Sequence, residues 1–104
     1  MSNPRLDTFR AMIERQPDHA MARFGLATEL AKAGEHQEAA EQFATYLAAH
    51  DAEGIRWLRY AECLIELERP EDARAAIASG IDAATRYSHG SLVGDLEALL
   101  DGMD

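Results

Sequence analysis

Apolar residues recur along nearly the whole chain on steps of three and four. Phe24, Ala27, Leu30 and Ala31 form one such stripe, and Ala39, Phe43 and Leu47 form the next. That spacing places each set on one face of an amphipathic helix. Writing Ala20 to Glu53 above Gly54 to Tyr87 pairs Met21 with Ile55, Phe24 with Leu58, Ala27 with Ala61 and Leu30 with Leu64. It also pairs Ala31 with Ile65, Ala39 with Ala73, Phe43 with Ile77 and Leu47 with Ile81. Apolar falls on apolar at every step, so the chain contains two copies of a helix pair with a 34-residue period.

Flanking segments extend the pattern. Leu6, Phe9 and Ile13 predict a leading helix over 4–16 that stops before Pro17, and adding one period to Phe9 and Ile13 reaches Phe43 and Leu47. The leading helix is therefore an orphan second helix. Leu92, Val93, Leu96, Leu99 and Leu100 predict a capping helix over 88–101, opened by Ser88 or Ser91. The prediction is an all-α fold: one domain over 1–104, with repeat one at 20–53, repeat two at 54–87 and about six antiparallel helices wound as an α-α superhelix.

Punctuation differs between the copies. Gly34 suits a left-handed cap ending the first helix of repeat one, with Glu35 near the start of the next. Repeat two is expected to turn differently, because Pro70 fits a first helical position and Glu71 and Asp72 complement the positive end of the helix dipole. Ala27, Ala39, Ala61 and Ala73 are expected where helices cross closely, with Phe43, Ile77, Trp57 and Tyr60 filling the gaps between pairs.

Trp57, Tyr60, Ala61 and Leu64, followed by Ala73 and Ile77, resemble the tetratricopeptide repeat pattern W-x-x-L-G-x-x-Y…A-x-x-x-F in spacing and in period. In repeat one the corresponding residues are Arg23, Leu26, Ala27, Leu30, Ala39 and Phe43, with Phe24 one place after the missing large aromatic. Phe9 and Pro17 match the last aromatic and closing proline of the pattern, whereas repeat two has Thr85 in place of that proline. The resemblance covers residues 5 to 87 and is to small bacterial-type members with two full repeats plus flanking helices, the last helix resembling a solvating cap. Such arrays bury their apolar faces only by stacking about three units, a minimum that two copies, an orphan helix and a cap just reach.

What the resemblance implies is a protein-interaction scaffold, a TPR-like adaptor whose first helices line a concave groove for a peptide or helix of another protein. By the family's geometry the groove positions are Met21, Phe24, Thr28 and Lys32 in repeat one and Ile55, Leu58, Glu62 and Glu66 in repeat two. Leu92 and Leu96 of the cap extend it, with a register open to a shift of one residue. Phe24, Leu58 and Leu92 are successive 34-residue steps that form either a row of anchors for a partner or ordinary packing. Glu62 and Glu66 share a face suited to lysine or arginine of a ligand. The family's chaperone-tail clamp needs Lys and Asn where this chain has Phe24 and Thr28, then Leu58 and Glu62, so that mode is not expected.

Composition narrows the partners. The 104 residues carry 10 Lys plus Arg against 19 Asp plus Glu, a net charge of −9, which repels phosphate backbones and anionic lipid and disfavours nucleic acid or membrane as partner. One cysteine, Cys63, closes no internal disulfide, and with no export signal or span-length apolar run the expected location is cytoplasmic. Placed on an amphipathic helix, Cys63 reads as a buried, inert thiol.

Catalytic chemistry finds little support. The histidines His19, His36, His50 and His89 lack ligand spacing, and His36 and His50 lie about four turns, ~20 Å, apart on one helix. His50, Asp51 and Glu53 are the densest candidate cluster, the basis of a metal-assisted hydrolase alternative. No G-x-S-x-G, glycine-rich phosphate loop or H-E-x-x-H is present. The expectation is a non-enzyme without cofactor or metal, its main alternative being a homodimer in which the leading helix and the cap dock on a second copy.

Overall fold

The computed structural model describes residues 3–50 and 53–103. Among these there are six helices and no strand: α1 (Pro4–Arg15), α2 (Ala20–Lys32), α3 (His36–Ala49), α4 (Gly54–Glu66), α5 (Pro70–Arg86) and α6 (Gly90–Asp101). Each helix packs on the next in the chain, and α4 also meets α6, so the molecule is a stack of helical hairpins. This is the all-α superhelix expected from the period.

Local chemistry sets the starts of the first two helices. The Asn3 carboxamide accepts from the backbone N–H of Arg5 and Leu6 at 3.1 and 3.4 Å, with Pro4 supplying a first position that needs no donor. His19 caps α2 through Nδ1, which accepts from the Ala22 N–H at 3.2 Å.

The helix ends correct two expectations. α2 ends at Gly34, φ 82°, with the Glu35 N–H donating to the Leu30 carbonyl and the Gly34 N–H to that of Ala31. α4 ends with the same pair of bonds, Arg69 to Leu64 and Glu68 to Ile65, and Glu68 takes the left-handed conformation at φ 57°. Repeat two therefore turns as repeat one does, one period later, without glycine. α5 ends likewise at Ser88, φ 61°, with His89 bonded back to Ala84. Ser88 thus terminates α5 and does not open α6, while Ser91 lies inside α6. The residue before α6 is His89, whose side chain makes no capping bond.

The core repeats with the sequence. Ala27 and Ala61, Leu30 and Leu64, Ala39 and Ala73, and Phe43 and Ile77 are all 0% exposed. The four alanines are thus wholly inside the core. A close approach of α4 and α5 is made at Gly54 and Gly80: a Cβ on Gly54 would lie 3.0 Å from the Gly80 carbonyl oxygen, and one on Gly80 would lie 2.9 Å from Trp57 Cβ. Trp57 and Tyr60 are only partly buried.

α5 has 17 residues against 14 in α3, and α6 consequently begins 36 residues after the start of α4. That offset shifts α6 out of the strict period. Leu96 is wholly buried, Leu92 lies against Gly54, and Val93, Leu99, Leu100 and Met103 are partly buried against the core. Asp95, Glu97 and Asp101 are exposed, giving α6 one apolar and one acidic face.

Candidate protein-binding groove

The eight groove positions fall on the two first helices of the repeats, α2 and α4, and separate into three groups. At the N-terminal ends Met21 and Ile55, one period apart, are 62% and 37% exposed. Apolar side chains of that size in water make these positions available to a partner.

Phe24 and Leu58 are partly buried and packed on the core. The Phe24 ring lies 6.0 Å from Phe43 and 5.7 Å from Tyr46, between centroids. The Arg56 guanidinium covers it at 4.7 Å and also lies 5.2 Å from the Tyr46 ring, donating a hydrogen bond to the Tyr46 hydroxyl. This arrangement, a cation over two ring faces, ties α2 and α3 to α4. Together with the seat of Leu92 on Gly54, it gives Phe24 and Leu92 packing partners inside the chain.

A cleft of about 480 Å³ lies between the C-terminal halves of α2 and α4. Thr28, Ala31 and Lys32 line one wall, Arg59, Glu62, Cys63 and Glu66 the other, with Phe43 and His36 contributed by α3. Four of the eight predicted positions, Thr28, Lys32, Glu62 and Glu66, thus meet in one space. Arg59, His36, Cys63 and Ala31 were not singled out as lining residues. The signal for two of them was available, because Arg59, Glu62, Cys63 and Glu66 follow helical i, i+3, i+4, i+7 spacing.

Charge in the cleft is largely paired. Arg59 lies 2.9 Å from Glu62 and Lys32 lies 3.7 Å from Glu29. Cys63 is 2% exposed, and burial, reinforced by Glu62 and Glu66, pushes its thiol up to about 11. A thiol so held is protonated and unreactive at neutral pH. The His36 Nδ1 is buried without a hydrogen-bond partner.

A larger cavity of about 680 Å³ lies between α3 and α5, floored by Trp57 and edged by Ala48, Ala78, Ser79 and the Asp82–Arg86 pair at 3.3 Å. It contains none of the predicted groove residues. His50 also lines it. Of the candidate metal cluster, His50 and Glu53 are described, and Asp51 lies outside the described residues. Among the described residues no three His, Cys, Asp or Glu side chains are grouped to hold a metal ion, and no helix is long and apolar enough to cross a membrane.

A family model described as Tetratricopeptide repeat matches residues 1–59, more than half of the chain. The chain belongs to the tetratricopeptide repeat family. The matched region runs from α1 through the first turns of α4, and the hairpin stack continues through α5 and α6 beyond it. Comparison with curated proteins and comparison with solved structures each found no match. Membership of the tetratricopeptide repeat family points to protein–protein interaction in general, and its repeats are typically non-enzymatic scaffolds.

Proposed function

We propose that this tetratricopeptide repeat chain is an adaptor that holds a peptide or helix of a partner protein along the groove formed by α2 and α4. The cleft between their C-terminal halves is the observation that carries the reading, because it joins side chains of both repeats in one concave space. The exposed Met21 and Ile55 supply apolar contact at the other end, with Phe24 and Leu58 between them. A net charge of −9 favours partners with basic segments. The single buried thiol suits a cytoplasmic setting.

Filling the cleft tests this. Thr28→Trp projects a large side chain into it from α2, so proteins captured from native lysate by the wild-type chain are absent from the Thr28→Trp eluate when the far-ultraviolet circular dichroism is unchanged. Equal capture by both refutes the reading. Light scattering separates it from the homodimer alternative, for which the mass doubles as concentration rises.

A further inference from the structure

We propose that α1 is a detachable strap: it leaves the stack as a unit while α2 to α6 stay folded, and its ion pairs to α2 and α3 set how often it does so. The strap is independent of what the groove between α2 and α4 holds.

In a stack whose units touch only their neighbours, an end helix departs without unfolding the rest. The two ends of this stack are held differently. At the C-terminal end α6 inserts Leu96, which is wholly buried, and lays Leu92 on Gly54. At the N-terminal end α1 is, among the described residues, the one helix of the six without a buried residue. Its apolar hold is Leu6, Phe9 and Ile13, each only partly buried against the core. The Phe9 ring lies against Gly25 of α2, where an added Cβ would come within 2.5 Å of Cε1 and Cζ.

Charge supplies the remainder of the hold. Arg10 donates from both terminal nitrogens to the Glu38 carboxylate on α3, at 2.5 and 3.0 Å, and each keeps the other charged, Arg10 above and Glu38 below its ordinary range. Arg5 lies 3.1 Å from Glu29 on α2, a carboxylate also 3.7 Å from Lys32. The Arg5 and Arg10 side chains are 73% and 43% exposed, so dissolved ions reach and screen both pairs.

Once off the stack, α1 does not persist as a helix. Twelve residues are too few for stability in water, even with Asn3 as cap and Pro4 behind it. Departure therefore frees the α1 amides for exchange with solvent and uncovers the notch at Gly25 on the flank of α2.

Native-state amide hydrogen exchange of the full chain, followed by NMR, tests the strap, with rates taken relative to a peptide spanning 4–15 in the same salt. The amides of Arg10, Met12 and Ile13 are expected to exchange through one common opening, faster than those of Leu64 and Ile77. Raising NaCl from about 0.05 M to about 1 M shortens the screening length to about 3 Å. The α1 amides then speed up about two- to fivefold, the scale of an exposed ion pair, while Leu64 and Ile77 are unchanged. Arg10→Gln at low salt gives a similar rise, which disappears at high salt. If the α1 amides exchange as slowly as those of Leu64, the helix leaves only with global unfolding and the strap is refuted. If they exchange early but respond neither to salt nor to Arg10→Gln, the departure is fraying that the ion pairs do not govern, and the strap is refuted as well.

Discussion

Glu68→Gly isolates the cost of the left-handed turn that ends α4. Glu68 has φ 57° where its counterpart one period earlier is Gly34 at φ 82°, and both positions make the same two backbone bonds. A residue with a Cβ pays roughly 1–2 kcal/mol for that conformation. Glycine avoids it but loses roughly 0.5–1 kcal/mol more backbone entropy on folding. The net expectation is a gain of about 0.5–1 kcal/mol, read as a rise of about 2–8 °C in the thermal midpoint of a domain this size. The converse change, Gly34→Ala, meets no atom within 4 Å of the new Cβ, so its loss of roughly 1 kcal/mol is conformational alone. Glu68 also carries one of 19 acidic charges in a chain of net −9, and Glu68→Ala removes that charge while keeping the strained backbone. Thermal melts of the three variants at matched ionic strength separate the effects. If Glu68→Ala is stabilised as much as Glu68→Gly, relief of charge repulsion explains the gain and the strain argument is wrong.

Gly80→Ala should destabilise by roughly 1–2 kcal/mol in urea unfolding despite alanine's better helix propensity, because its Cβ would stand 2.9 Å from Trp57 Cβ at the α4–α5 crossing. Phe43→Ala, which empties a wholly buried aromatic site, should cost about 3–5 kcal/mol and bring the chain to or past the point of unfolding at room temperature. The thiol of Cys63 is raised from 9.0 to about 11. The unfolded thiol then ionises first as pH rises, so stability falls between about pH 9 and 11, and Cys63→Ala removes that alkaline limb. Iodoacetamide at pH 7 should label Cys63 only at the rate of opening or unfolding. Glu38 is held below the ordinary carboxylate range by the hydrogen bonds it accepts from Arg10 at 2.5 and 3.0 Å. Its contribution is therefore present above that range and fades as pH falls through it, and because both side chains are partly exposed, Glu38→Gln should cost at most about 1 kcal/mol.

The paired stripes were legible because each buried position recurs after 34 residues with similar size: Ala27 with Ala61, Leu30 with Leu64, Ala39 with Ala73. A period read twice fixes which face is inside, and that alone determines how the hairpins stack. The turn after α4 was illegible for the opposite reason. Glu68 and Ser88 hold a conformation that glycine would have announced, and hydrogen bonds of the turn, not side-chain identity, keep them there. The displacement of α6 follows from the added length of α5, for which the strict period had no room. In the groove, Thr28, Lys32, Glu62 and Glu66 followed from the resemblance to the tetratricopeptide repeat and the groove geometry it implies. Arg56 over Phe24 did not, since a contact between positions 32 residues apart on different helices depends on how the repeats twist.

The guanidinium of Arg56 acts as a clasp. It holds the near ends of the two inner helices through Phe24 and Tyr46, while farther along the same helices a space of about 480 Å³ remains between them. The two ends of the inner wall are therefore unlike: one is closed by a cation lying on two rings, and the other leaves vacant space between the helices. A segment lying along that wall can seat a bulky side chain only at the vacant end without parting Arg56 from Phe24.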